Sequence, residues 1–446
     1  MSHPVPLSKN RNFRLLWSAN ALSTLGSQAA FIALPLLVLS LTGSVTDFGL
    51  VLFVESVVSV VAGLPAGVLV DRVDRRKVML VCDGLRALIS AVFVVAMVTD
   101  RVSLTLIIAA GVLTGVSSSP FGPAAGAMLR SVVPPEQLVS AYAVNQARNS
   151  AIVLAGPLVG AALYGVSPTL PFLVDAVSYL ASAACVLALR PPERPRPPAD
   201  RPAADRKAAD RKAAAFPQWR RDLTTGLRFV RANPFMRYTL VNSTLMNFAM
   251  SAVVVTLIAV HSGAGSTPMS TGLLVAVSGA GNLLGATLAP RLNRLLSPRR
   301  LVLAVGWSTA VLVPAMAADD AIWWTLLLIA GSSVTAPAAN IALAAAAAHT
   351  IPDHLQGRVR SASALLPAMV TPLGPVAAGL LTDRLSAPAA LLLFGGMLFV
   401  LACFSTLSRG LRLIPDLRRP AAGPPAAPAE GASGSAAGDR VPEQVR

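Results

Sequence analysis

Twelve apolar stretches, each about the length of a membrane-crossing helix, occupy most of this chain and set what it can fold into. An α-helix rises about 1.5 Å per residue, so roughly 20 mostly apolar residues cross the hydrocarbon core of a bilayer. Such stretches run over about 15–41, 47–70, 78–99, 103–128, 141–166, 170–190, 235–261, 269–290, 300–318, 321–348, 359–382 and 387–409. Charged residues make up 13% of the 446 and hydrophobic ones 54%. A soluble domain carries about 25% charge, so this chain lacks the polar surface to coat a globule. Pro35, Pro65, Pro120, Pro157, Pro314 and Pro375 fall inside apolar stretches. Inside a bundle that is tolerated, because neighbouring helices re-satisfy the freed backbone groups. The prediction is an all-α integral membrane protein of twelve transmembrane helices, with the lipid bilayer as its solvent.

Between helices six and seven the composition changes to RPPERPRPPADRPAADRKAADRKAAAFPQWRRD, which cannot bury enough apolar surface to fold. The expected plan is an N-terminus at 1–14, a six-helix bundle at 15–190, a disordered basic linker at 191–234, a second bundle at 235–410 and a disordered tail at 411–446. The first apolar stretch is too long for a signal-peptide core, so helix one is expected to be retained. Of the 37 Lys and Arg residues, all but Arg86, Arg101, Arg148 and Arg384 fall on one side when the N-terminus is placed there. By the positive-inside rule both termini and the linker are expected in the cytoplasm, in a multi-pass protein of the cell membrane.

The net charge of +16 lies between apolar stretches rather than in one patch, and aromatic residues are only 5%, which argues against nucleic acid as a partner. Cys82, Cys185 and Cys403 each sit inside an apolar stretch, an odd and scattered set that suits neither disulfides nor a metal site. No cofactor is expected. A shift of 218 residues lays Gly156-Pro157 on Gly374-Pro375, Pro134 on Pro352 and Gly67 on Gly285, and SVVPPEQL resembles HTIPDHLQ. The two halves therefore read as a parallel repeat, with a substrate site expected between them near the midplane.

After helix two stands Gly67-Val-Leu-Val-Asp71-Arg72-Val-Asp74-Arg75-Arg76-Lys77. It resembles the loop signature of the major facilitator superfamily, a Gly, then Asp-Arg, then a Gly-Arg-Arg ending. The resemblance implies the major facilitator fold, two pseudo-repeated six-helix bundles, and a latch made by Gly67, Asp71, Arg72, Arg75 and Arg76 that stabilises one access state. Asp74 stands where the second Gly is usual, a variant similar to the drug:proton antiporter branch that includes macrolide and enterobactin exporters. The corresponding segment of the second half, GATLAPRLNR, has Ala289 and Pro290 in place of Asp-Arg. In helix five, AGPLVGA resembles the Gly-Pro motif of the superfamily's antiporters, with Gly156, Pro157 and Gly160 as a hinge, although small residues at this spacing also simply allow close packing. Helix four has no Arg in its first half, and Ser27 stands where this branch often has Asp.

An ionisable group inside a membrane helix costs about 2.5–3.5 kcal/mol on insertion scales, so each asks for a reason. Glu55 lies about nine residues, or roughly 13 Å, into helix two, near the midplane. It is the first candidate for proton coupling, against a structural carboxylate paired with an Arg; Asp83 and Asp175 are the others. Asp83 and Arg86 stand at i, i+3 and can satisfy each other. Ser27, Gln28, Asn145, Arg148, Asn149 and Asn247 are candidates for cavity lining or substrate contact, with Phe31, Phe53 and Met246 as apolar lining. No HExxH, GxSxG, Walker A or GxGxxG sits in a supporting context, so an enzyme is not expected. The expected activity is export of small, lipophilic molecules by alternating access, driven by the proton gradient and carried out by a monomer. Uptake by symport and a non-transporting sensor or scaffold are the alternatives.

Overall fold

The computed structural model describes residues 6–190, 215–262 and 267–414, with the side chains of residues 64, 67, 68, 71, 72, 215–220 and 222 outside the description. Every regular element among the described residues is helical. The first half holds α1 (Arg11–Thr42), α2 (Val45–Arg72), α3 (Arg75–Val98), α4 (Leu104–Ser118), α5 (Phe121–Val132), α6 (Leu138–Val166) and α7 (Leu170–Leu187). Then come α8 (Ala215–Ala232), α9 (Pro234–Val260), α10 (Pro268–Leu295), α11 (Pro298–Ala315), α12 (Ile322–Thr350), α13 (Gln356–Val370), α14 (Leu373–Arg384), α15 (Ala387–Leu407) and the short α16 (Arg409–Arg412).

Two expected spans are each broken in two at a proline: α4 and α5 meet at Ser119-Pro120, α13 and α14 at Thr371-Pro372. Proline removes a backbone donor and disfavours helix at the residue before it, so these joints fall where the chain cannot keep its hydrogen-bond ladder. Counting each broken pair as one crossing, eleven helices among the described residues are long and apolar enough to span a membrane. The twelfth, α11, opens with Arg299 and Arg300. It packs between α12 and α15 as a full member of the second bundle. The repeat holds at the level of helix ends. A shift of 218 carries 104–132 onto Ile322–Thr350, the 3-10 turn Pro135–Gln137 onto Asp353–Leu355, and Leu138–Val166 onto 356–384.

The N-terminus of α1 and the end of α7 lie on one face, tied where Asn12 Nδ2 donates to the Arg190 carbonyl at 2.7 Å and the Arg190 amide donates to Asn12 Oδ1 at 3.1 Å. We call this the terminal face and its opposite the far face. The buried apolar core is asymmetric between them. Toward the far face one cluster runs through both halves, joining Phe48, Val51 and Phe172 to Val253, Leu257, Ala378 and Phe394. Toward the terminal face the core splits into separate clusters. One belongs to the first half, around Phe13, Met79 and Met128; the others belong to the second half, around Tyr238, Leu301 and Val359. The halves are thus joined at the far face and parted at the terminal face. On that parted side Val139, Tyr142 and Met369 are exposed.

The linker and tail depart from the expected plan. Residues 191–214 and 415–446 lie outside the described residues, but 215–232 of the linker form α8 rather than a disordered segment. Leu223, Gly226, Leu227 and Val230 fall on one stripe at helical spacing. Val230 is fully buried and Gly226 lies against the Arg358 carbonyl and Ala362 of α13. The tail's first residues also pack, with Leu411 buried and Ile414 against the second half. In both places a few apolar residues inside a charged context suffice to dock the chain.

Candidate functional site

The two halves enclose a central space lined by Phe31, Leu52, Glu55 and Ser59 from the first half and by Ser251, Thr371 and Pro375 from the second, with an empty volume of about 1140 Å³ including its open mouth. Beside it, inside the first bundle, lies a second cavity with an empty volume of about 740 Å³ including its open mouth, lined among others by Ser27, Phe31, Glu55, Ser90, Phe93, Gly111, Phe172, Asp175 and Tyr179. Phe31 and Glu55 belong to both walls and form the partition between the two spaces.

Helix α2 carries Glu55 toward α4, where Gly111 makes room for it: a Cβ at Gly111 would meet Glu55 Cγ and Oε1 at 3.0 Å. Among the described residues the Glu55 carboxyl has no hydrogen-bond or ion-pair partner. No Arg pairs with it among the described residues. Asp175 faces the same cavity from α7. Its Oδ2 accepts from Ser90 Oγ at 2.9 Å, while Oδ1 is buried with no partner. Tyr179, one turn further along α7, shares a hydrogen bond of 2.9 Å with Ser27 of α1. The cavity therefore combines two carboxyls, the four hydroxyls of Ser27, Ser90, Thr114 and Tyr179, and the rings of Phe31, Phe93, Phe172 and Tyr179. Phe93 and Phe172 meet edge to face with centroids 4.9 Å apart.

Asp83 stands apart from this pair. It is fully buried, takes a 2.6 Å ion pair from Arg86 and a 2.6 Å hydrogen bond from Ser182, and lines neither space. The Arg86 guanidinium lies 4.4 Å over the Tyr179 ring and 4.5 Å over that of Phe121, so the charge is held on all sides. This is the self-satisfied pair that the i, i+3 spacing suggested. Burial on that scale is affordable only when both charges are matched.

The remaining candidates are distributed as follows. Arg75 donates to the Ala127 carbonyl at 2.9 Å, and Arg76 Nε donates to the Val186 carbonyl at 3.0 Å; both tie α3 to helices of its own half. Gly67, Asp71 and Arg72 lie outside the residues whose side chains are described. Arg148 donates to the Trp17 carbonyl at 3.1 Å and to Asn149 Oδ1 at 2.9 Å, which pins α6 to α1 near the terminal face. Asn145 Oδ1 is buried without a partner beside it on α6. Gln28 packs against Gly156, and a Cβ at Gly160 would meet the Ala29 carbonyl at 2.5 Å, so α1 and α6 cross backbone to backbone here. On its other side the same segment meets the second half, where a Cβ at Gly272 would lie 2.6 Å from Ala161. Asn247 is exposed on α9 and donates to its own helix at the Ser243 carbonyl. Tyr179, Ser90, Phe93 and Phe172 line the cavity without having been singled out in the sequence. Tyr179 and Ser90 stand at helical spacing from Asp175 and Arg86, a signal open to a reading of polar faces.

A family model described as Major Facilitator Superfamily matches residues 16–366. Among curated proteins, the chain is 25% identical over 421 residues to the uncharacterized MFS-type transporter YfiS of Bacillus subtilis, covering 91% of this chain and 95% of that protein. It is 27% identical over 194 residues to the uncharacterized MFS-type transporter YkuC of the same organism, covering 43% of this chain and 44% of that protein. It is also 26% identical over 164 residues to macrolide efflux protein A of Streptococcus pyogenes, 36% of this chain and 40% of that one. In the last two cases the chain spans less than half the relative's length. Among solved structures, a bacterial homolog of the human lysosomal transporter Spinster, in an inward-facing and unoccupied conformation, superposes with a TM-score of 0.68 at 14% identity. That match covers 91% of this chain and 98% of the other.

Proposed function

The chain belongs to the Major Facilitator Superfamily, and on that premise we propose that it is a secondary transporter exporting small lipophilic molecules from the cytoplasm in exchange for protons. The observation that carries the reading is Glu55, an unpaired carboxyl near the middle of a membrane helix, set in the wall between the first bundle's cavity and the central space. An unpartnered carboxylate in so apolar a place is costly as an ion. Its proton is therefore best exchanged when the wall faces water, and carried when it does not. Asp175, in the same cavity with one free carboxyl oxygen, is the second station.

The clustering of Lys and Arg supports placing the terminal face in the cytoplasm of a cell-membrane protein. The parted terminal face is then the loading side. Substrate enters the central space as Glu55 gives up its proton; after the switch, substrate leaves outward and Glu55 takes a proton from outside. The mostly apolar lining of the central space, with Phe31, Leu52, Val60 and Pro375, suits a lipophilic ligand. The partial likeness to macrolide efflux protein A supports the outward direction.

The test is efflux of a panel of lipophilic dyes and antibiotics from cells carrying the chain, with and without a proton uncoupler. Uncoupler-sensitive efflux of any of them supports antiport. Efflux that persists unchanged under the uncoupler rules proton drive out, and uptake in place of efflux reverses the direction.

A further inference from the structure

The halves close against each other on the far face at two related crossings, α14 on α2 and α6 on α10, and the chemistry of the two differs. At the first, Asp383 in the last turn of α14 accepts three hydrogen bonds from the start of α2. Ser44 Oγ donates at 3.0 Å, the Val45 amide at 3.1 Å and the Thr46 amide at 2.9 Å. The first amides of a helix have no partner within it, and its N-terminus carries partial positive charge. Ser44 supplies the local cap, accepting from the Asp47 amide at 3.1 Å. Asp383 supplies the rest from the other half of the molecule, as a charged acceptor. One turn below, Gly379 and Gly49 let the two backbones touch: a Cβ at Gly379 would meet Thr46 Cα at 2.5 Å.

At the second crossing the repeat places Gly165 where Asp383 stands, so no carboxylate reaches α10 from that position. The carboxylate is thus particular to the helix that also carries Glu55, nine residues or about 13 Å further along α2. Asp383 is exposed, so water can take over its bonds when the crossing opens. A contact that spans the halves, caps a helix and can be re-solvated is suited to being made and broken in each cycle.

We propose that Asp383 is the latch of the far face, a positioning residue that sets the balance between the two access states through its bonds to Ser44, Val45 and Thr46. The proposal rests on the fold alone, and it stands or falls independently of the substrate and of the role of Glu55.

The experiment is double electron–electron resonance on the full chain in lipid nanodiscs. Spin labels go on Arg101→Cys and Ala318→Cys, exposed far-face positions in opposite halves, after replacement of Cys82, Cys185 and Cys403. With Asp383 intact, one short distance should dominate. Asp383→Ala and Asp383→Asn should each shift the closed-to-open ratio about fivefold or more and populate a longer distance. Ser44→Ala should give a smaller shift in the same direction. If Asp383→Ala does not fold, Asp383→Asn decides alone, because it keeps the volume and loses the charge. An unchanged distance distribution in folded Asp383→Asn would reduce Asp383 to an ordinary helix cap and overturn the proposal.

Discussion

At the scale of single residues, the first bundle keeps two kinds of buried charge, and they predict opposite mutational outcomes. Asp83 is matched by Arg86 and Ser182, so removing the partner strands a carboxylate in the core. Arg86→Ala should cost about 3–5 kcal/mol and lower the thermal melting point sharply, as a fluorescence melt of detergent-solubilised protein would record. Glu55 is unmatched, so Glu55→Gln should leave the melting point almost unmoved. Its environment can be changed without touching it: Gly111→Leu would occupy the space the carboxyl uses, and should abolish transport in protein that still elutes as a folded monomer. On the far side, His261 is buried and shares a 3.1 Å hydrogen bond with Thr325. Burial holds its imidazole below the usual range, with the Asp320 carboxylate pulling the other way. As pH falls below about 6.5 the unfolded imidazole takes up a proton that the buried one resists, so the folded state loses stability there. His261→Gln should therefore match the wild-type melting point near pH 8 and exceed the wild type's retained stability at pH 5.

Among the elements, α6 shows how one segment can be read in two ways. AGPLVGA resembles an antiporter hinge, yet α6 runs unbroken through Pro157, and Gly156 and Gly160 are occupied by the crossing with α1. A side chain at Gly160 would press on backbone, which cannot yield as a flexible side chain can. Gly160→Leu should cost at least about 1–3 kcal/mol and cut the yield of monodisperse protein in size-exclusion chromatography. A yield equal to wild type would mean that the crossing is looser than its geometry, and would favour the hinge. Helix α8 carries the opposite lesson. Its apolar stripe is short, and its neighbours at 191–214 are so rich in Pro, Ala and charge that the whole linker reads as unstructured until α13 provides a surface for Val230.

Across the whole molecule, what was legible in the sequence is what repeats. Spans of about 20 apolar residues and a 218-residue shift need no knowledge of neighbours, and the helix ends follow both. What was not legible depends on which way each helix turns. Glu55, Asp83 and Asp175 look alike as intramembrane acids. Only the packing of α2, α3, α4 and α7 leaves the first unpaired, satisfies the second and half-satisfies the third. Asp383 was invisible for the same reason, because its partners lie 337 to 339 residues away in the other half. The asymmetry also belongs to the assembled molecule. Under the repeat, Glu55 and Asp175 fall on Leu273 and Leu393, so the second bundle has no counterpart of the charged cavity. Under the proposed antiport, proton handling falls to the first bundle, whose cavity holds both carboxyls.

The most direct test of that assignment is uphill efflux in inverted membrane vesicles with an imposed pH gradient, comparing wild type, Glu55→Gln and Asp175→Asn on a compound the wild type exports. Proton exchange at Glu55 predicts gradient-driven accumulation by wild type, none by Glu55→Gln, and a reduced rate for Asp175→Asn. Full gradient-driven transport by Glu55→Gln would contradict it and place the coupling elsewhere in the chain.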